Sequence, residues 1–181
     1  MTITSKNYSA IDIANYVISK STNPTGADKV TNLKLQKILY FLQAAFLVER
    51  QESLIAESFQ PWAYGPVVPE AYRFFNQFGY KPIERPVSEF TINTSDNGFN
   101  VVENPFDEQR INAEDRELID KYYQSISRYS AGQLIDLTHE QDFWQRAEKS
   151  GEIARKNSRP YSNDDILNSF QEDKFRIWEA D

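Results

Sequence analysis

The chain of 181 residues contains no cysteine and only one histidine, His139. Without cysteine it can form neither disulfides nor thiolate-ligated zinc sites, and a cysteine nucleophile is excluded. A single histidine excludes zinc sites built from two or three imidazoles. The six glycines are too scattered for a phosphate-binding loop of either common spacing. We therefore expect no metal and no other cofactor.

Long apolar runs are also missing. None reaches the roughly 18 residues that a membrane-spanning helix needs, and the first residues lack the apolar core of a signal peptide. The net charge is −7 at pH 7, which repels phosphate backbones. We therefore expect a cytoplasmic protein that binds neither membranes nor nucleic acid directly.

What the chain does have is material for a core. Hydrophobic residues make up 40% of the sequence and aromatic residues 14%. A chain of this size can bury enough surface to fold without metals or disulfides. The length fits one domain, which we predict to span residues 1–181.

Apolar spacing and capping residues predict a series of helices. The segment from Leu35 to Val48, capped by Thr31, is apolar on nearly every face, which is typical of a buried central helix. Other helices are predicted to begin at the capping residues Ser9, Asn112, Ser130 and Ser162 and at Pro69. A shorter helix is predicted from Phe143 to Lys149. We expect the last helix to run over about 162–178.

Extended segments are fewer. Residues 54–62 could form a short extended stretch, and Asp96-Asn97-Gly98 between two apolar runs predicts an antiparallel hairpin. Asn23-Pro24-Thr25-Gly26 has the composition of a loop. The predicted fold class is mainly α (α+β): a single-domain helical bundle around a buried central helix, with a small antiparallel β-hairpin.

The residues with catalytic potential favour a structural interpretation. His139-Glu140 begins a possible H-E-x-x-H motif, but position 143 is Phe, and no G-x-S-x-G elbow supplies a serine nucleophile. Paired carboxylates fall mostly in first helical turns, where they complement the helix dipole. We predict a structural role for His139, no catalytic residue and no metal ligand.

The segment Trp62-Ala63-Tyr64-Gly65-Pro66 favours binding more strongly. Two aromatic side chains beside a stiff Gly-Pro turn form a surface that loses little entropy on binding a protein, unless the turn only packs on the core. Tyr72 is a further aromatic candidate. Lys34 and Lys37 are interpreted as hydrogen-bond donors to a partner, with a solvated helix edge as the alternative.

Three ordered elements resemble a known family. They are LKLQKILYF at 33–41, FQPWAYGPVVPEAY at 59–72, and LIDLTHE at 134–140 followed by FWQRA at 143–147. Together they resemble the Panacea antitoxin domain, also described as a phage-associated GepA-like protein, over roughly residues 8–150. The chain departs from the pattern at position 143, where Phe replaces the proline that often precedes the tryptophan.

The resemblance implies a mainly helical bacterial or prophage antitoxin that neutralises a protein toxin, usually encoded beside it, by direct binding. It also implies a shared structural motif, comprising Leu35, Tyr40, Thr138, His139 and Trp144. We hypothesise that the Tyr64–Pro66 turn packs beside Thr138, His139 and Trp144. The predicted partner-binding residues are Lys34, Lys37, Trp62, Tyr64, Gly65, Pro66 and Tyr72.

Two other functions remain open at this stage. The first is a hydrolase that uses His139, which would need a deep polar pocket around the imidazole. The second is an acidic phage or prophage protein that mimics DNA or blocks a host nuclease, which would need carboxylates arrayed on one face.

Overall fold

The computed structural model of the chain describes residues 3–21, 29–95, 98–153 and 158–179. Its helices are α1 (Ala10–Lys20), α2 (Asn32–Arg50), α3 (Pro69–Phe75), α4 (Ala113–Ile126), α5 (Ala131–His139), α6 (Asp142–Lys149) and α7 (Asn163–Ser169). Its strands are β1 (Thr4–Tyr8), β2 (Glu52–Ile55), β3 (Gln60–Trp62), β4 (Gly65–Val67), β5 (Glu89–Ser95) and β6 (Gly98–Asn104). The predicted class, mainly α with a minor β component, is confirmed.

Helix α2 is the centre of the fold, as predicted. It begins where the Thr31 side chain accepts a hydrogen bond from the backbone N–H of Lys34, at 3.3 Å. It ends at Gln51, whose φ of 58° is left-handed and stops the helix. Every residue over 34–47 is buried. The other elements therefore surround α2 on all sides.

An aromatic cluster joins α2 to the C-terminal segment. The ring of Tyr40 meets Phe59 and Tyr161 edge-on, with centroids 5.4 and 5.6 Å apart. Phe170, just after α7, lies 5.5 Å from Phe41 in the same manner. Residues beyond 150 therefore pack into the same core as the central helix.

The β structure is more extensive than the single hairpin that the sequence predicts. Strand β1 pairs in parallel with β2, with Thr4 opposite Glu52. The predicted extended stretch 54–62 divides between β2 and β3, and β3 pairs antiparallel with β4. The hairpin predicted around residues 90–102 is confirmed as β5 and β6. The predicted loop at 23–26 and the turn residues 96–97 lie outside the described residues.

The helices that begin at Pro69 and Asn163 are both short. Helix α3 gives way after Phe75 to a 3₁₀ turn, Asn76–Phe78. The last helix, predicted over about 162–178, ends at Ser169 and is followed by the 3₁₀ turns Asp173–Phe175 and Ile177–Glu179.

The early end of α7 has a packing reason. Phe170, Phe175 and Trp178 are all buried. On one unbroken helix Phe175 would lie about 140° around the axis from Phe170, so the chain must leave the helix to bury both rings. The Arg176 side chain donates to the Phe170 carbonyl at 2.9 Å, which pairs a carbonyl at the helix end.

Candidate partner-binding site

The turn between β3 and β4 depends on a glycine. Residues 63 and 64 join the two strands, and Gly65 follows with φ of +87°, a left-handed conformation that favours glycine. A Cβ atom on Gly65 would overlap Oγ1 of Thr138 and would lie 3.1 Å from Nζ of Lys37. Any side chain at position 65 would therefore push the turn away from α2 and α5.

Lys37 ties the turn to the central helix. Its side chain is fully buried, and Nζ donates a hydrogen bond to the Pro66 carbonyl at 2.6 Å. Burial disfavours the charged form, so the pKa of Lys37 is well below the ordinary lysine value. The side-chain nitrogen of Lys37 thus holds the backbone of the turn from inside the protein.

Two neutral polar residues of α2 extend this support. The side-chain oxygen of Gln36 accepts from the backbone N–H of Val68 at 3.1 Å, and its nitrogen donates to Asn32 at 3.2 Å. Asn32 in turn donates to the Tyr72 carbonyl at 3.0 Å. These buried hydrogen bonds hold the chain from the turn into α3 in one position over α2.

Helices α5 and α6 support the opposite side of the turn. Nε1 of Trp144 donates to the Trp62 carbonyl at 2.9 Å. The His139 ring stacks on Trp144, with centroids 3.7 Å apart and planes 17° apart. His139 also hydrogen-bonds the backbone of Ala63. The packing of the turn beside Thr138, His139 and Trp144, hypothesised from the sequence, is observed.

The pKa of His139 is lowered by this environment. Partial burial is the largest cause and the nearby Lys37 ammonium acts in the same direction, while the hydrogen bond to the Ala63 backbone opposes both. Nε2 of His139 is buried and has no hydrogen-bond partner within the described residues. The imidazole is therefore a neutral packing element at pH 7.

Three aromatic side chains lie on the outer side of this support. Tyr64 is 65% exposed at the tip of the turn. The rings of Trp62 and Tyr72 are partly exposed and meet edge-on, 5.0 Å apart. We call Trp62, Tyr64 and Tyr72 the aromatic turn surface.

The motifs that are far apart in the sequence thus meet at one place in the structure. Comparison with known proteins identifies the family to which they belong. The family model described as "Antitoxin SocA-like, Panacea domain" matches residues 35–145. The chain belongs to this family.

A curated Panacea relative is the protein named Antitoxin SocA from Caulobacter vibrioides (strain NA1000 / CB15N). It is 33% identical over 111 residues, which are 61% of this chain and 55% of that protein. The match therefore spans about half the length of the curated relative. No solved structure matches the chain significantly.

In this Panacea chain, the two lysines do not lie where the sequence interpretation placed them. Lys34 is 3% exposed and Lys37 0%, so neither forms a solvated edge or lies on the surface for a partner. Nζ of Lys34 donates to the Ser127 carbonyl at 3.0 Å. Gly65 and Pro66, also predicted to contact a partner, are buried beneath the turn. Lys37, Gly65 and Pro66 therefore support the aromatic turn surface from below, whereas Lys34 ties α2 to the end of α4.

The predicted structural motif lies inside the protein, except for His139 at its edge. Leu35, Tyr40 and Thr138 are fully buried, and Trp144 is 5% exposed. The Tyr40 hydroxyl donates to the Gln141 side chain at 2.8 Å, which links α2 to the start of α6. Most residues of the Panacea motifs are therefore core residues that hold the turn in position, and few of them are exposed.

The sequence patterns did not indicate that polar residues of α2 hold the backbone of the surrounding segments. Asn32, Gln36 and Gln43 are all buried. The oxygen of Gln43 accepts from the backbone N–H groups of Leu54 and Ile55, at 3.0 and 2.9 Å. Their signal was available, because amides recur here on a helix that is otherwise apolar, and a buried amide needs hydrogen-bond partners.

Within the four described ranges, no group of three histidine, aspartate or glutamate residues lies close enough to hold a metal ion. No helix of the described residues has both the length and the apolar character for crossing a bilayer.

Proposed function

We propose that this chain is an antitoxin that neutralises a protein toxin by binding it directly, without catalysis. Membership of the Panacea family and similarity to a protein named Antitoxin SocA support this function. We further propose that the toxin is encoded by a neighbouring gene and that both proteins act in the cytoplasm.

The aromatic turn surface is the observation that carries this proposal. Tyr64 is exposed, but the backbone beneath it is held by Lys37, Gln36 and Trp144. Binding to a rigid turn loses little conformational entropy, and tyrosine and tryptophan are the residues most often dominant in protein interfaces. We assign the direct contacts to Trp62, Tyr64 and Tyr72, and a supporting role to the residues below.

The contacts of His139 and of the buried Lys37 support a function without chemistry. His139 stacks on Trp144 and bonds the backbone of Ala63. Lys37 is fully enclosed and bonds a backbone carbonyl. Each group thus serves the shape of the turn, whereas a general base or nucleophile must reach a substrate.

Co-expression tests the proposal. Each reading frame that flanks the gene is expressed in bacteria with and without this chain, and growth is measured. We expect one frame to arrest growth and wild-type chain to restore it. If the chain rescues growth from no toxic neighbour, the antitoxin function is wrong.

Tyr64→Ala then tests the assigned surface. Interface tyrosines at hot spots contribute ≥ about 2 kcal/mol, so we expect roughly 30-fold weaker toxin binding and loss of rescue. Glu117→Ala on α4 is the control, because Glu117 is exposed and belongs to neither proposed contact surface, so this variant should rescue normally. Thermal melting is measured for both variants. If Tyr64→Ala melts like wild type and still rescues growth, the toxin binds another surface of the chain.

A further inference from the structure

The hairpin of β5 and β6 has one apolar and one polar face. Residues directly opposite each other share a face, and the register pairs Ile92 with Val101, Phe90 with Glu103 and Thr94 with Phe99. Side chains alternate along each strand, so the other face carries the pair Asn93 and Asn100 and the pair Thr91 and Val102. We call Phe90, Ile92, Phe99 and Val101 the apolar hairpin face.

This face is open to solvent. Phe90 is 64% exposed, Ile92 65%, Phe99 75% and Val101 50%. A two-stranded hairpin is marginally stable alone and normally gains stability by packing its apolar face on another layer. No such layer of this chain's described residues covers the four side chains.

We propose that the apolar hairpin face docks on the protein toxin and forms a second contact surface in addition to the aromatic turn surface. This inference rests on the proposed antitoxin function. The complementary surface of the toxin would present bulky apolar side chains, with a lysine or arginine at their border.

The size of the face disfavours a second copy of this chain as the occupant. Its four side chains expose on the order of 400 Å² of apolar area. Two copies packed face to face would bury roughly 800 Å² in total, whereas stable specific interfaces bury about 1,200–2,000 Å². A toxin that contacts the aromatic turn surface as well can reach that size.

A groove lies at the open end of the hairpin, where β5 begins and β6 ends. It has a volume of about 810 Å³, and Phe78 and Pro82 line it together with Phe90 of the hairpin. Phe78 ends the 3₁₀ turn that directly continues α3, and α3 carries Tyr72. One continuous stretch of chain therefore links the two proposed contact surfaces.

The charges at the groove indicate the sign of the partner. Glu84 and Glu103 line it against a single guanidinium, that of Arg85. The two strands contain no lysine or arginine, and Glu103 lies on the same face as Phe90. This arrangement favours a cationic protein surface and disfavours an anionic membrane, which attracts basic residues.

The test compares a triple-threonine variant and a double-threonine variant of the full chain. Ile92→Thr/Phe99→Thr/Val101→Thr removes the apolar area but keeps a strand-favouring residue at each position. Asn93→Thr/Asn100→Thr changes the opposite face in the same way and is the matched control. Binding to the purified toxin identified by co-expression is measured by calorimetry, with far-UV circular dichroism and thermal melting of each variant.

We expect the triple variant to raise the Kd for the toxin at least about tenfold, and the control to bind like wild type. Equal binding by the triple variant and wild type overturns the second contact surface and leaves the proposed function standing. Failure of wild type to bind any neighbouring toxin overturns both. Light scattering provides a further arm: a concentration-dependent wild-type dimer that the triple variant abolishes would assign the face to a second copy instead.

Discussion

Lys37 is a residue whose burial disfavours its charged form but whose hydrogen bond fixes the position of the turn. The side chain is fully buried, and no carboxylate of the described residues lies within ion-pair distance of Nζ. Its hydrogen bond to Pro66 positions the turn, while burial lowers its pKa. The folded chain therefore binds the Lys37 proton less tightly than the unfolded chain does.

This difference predicts a pH dependence of stability. Between the lowered folded pKa of Lys37 and the ordinary value of 10.5, the unfolded chain holds a proton that the folded chain has lost. Raising the pH in this window therefore stabilises the wild type, by up to about 1.4 kcal/mol per pH unit. Lys37→Met lacks this contribution.

Urea denaturation of wild type and Lys37→Met between pH 7 and pH 10 measures the effect. The free energy of unfolding of wild type should rise relative to the variant across the window. Groups that do not interact with Lys37 contribute equally in both proteins and cancel in the difference, and His139, which does interact with it, titrates below this pH range. A difference that stays constant with pH would contradict the lowered pKa.

At the scale of the element, α2 has two roles. Its apolar residues form the middle of the core, and its amides bind the backbone of surrounding segments, through Gln36 at Val68 and Gln43 at Leu54 and Ile55. The apolar side chains supply the driving force for burial, and the amides determine which backbone segment lies over each turn of the helix.

Leu39→Ala tests the central position of α2. Leu39 is 0% exposed, and truncation of a fully buried leucine costs ~2–5 kcal/mol because it loses transfer free energy and leaves a cavity. Leu33→Ala on the same helix is the control. Leu33 is only half-buried, so its truncation should lower the free energy of unfolding by less. Chemical denaturation measures both. A loss well under about 1 kcal/mol at Leu39 would argue against its burial.

At the scale of the whole molecule, acidic residues are in excess, but several of their carboxylates form ion pairs with arginine side chains. Asp12 pairs with Arg110 at 3.1 Å and Asp165 with Arg159 at 2.9 Å. Carboxylates that are paired in this way are less suited to mimic a row of phosphates. The net charge of −7 still opposes contact with nucleic acid.

We therefore predict that the chain does not bind duplex DNA at physiological salt. It offers little counterion release, and its buried lysines Lys34 and Lys37 cannot form a basic track. Fluorescence anisotropy with a labelled duplex of about 20 base pairs, titrated at two salt concentrations, is the measurement. Submicromolar binding that weakens steeply with salt would contradict the prediction.

The predicted and observed sites differ in which residues face outward. Sequence motifs correctly brought Thr138, His139 and Trp144 to the turn. They misplaced Lys34 and Lys37, because a lysine is almost always solvated and nothing local shows that a carbonyl from a distant turn will reach it. Strand β1 was missed for a similar reason: its polar sequence has no alternation, and its parallel partner is almost fifty residues away.

The sequence by itself determined the helical class, the caps of α1, α2, α4, α5 and α7, and the central position of α2. These features depend on side chains within a few residues of each other, so periodicity and capping chemistry suffice. Only the tertiary structure decided that Lys37 and Gln36 support the turn, that Tyr64 is exposed at its tip, and that the apolar hairpin face stays uncovered. Each of those outcomes depends on which distant segment occupies the space beside a residue, and local patterns carry no information about that.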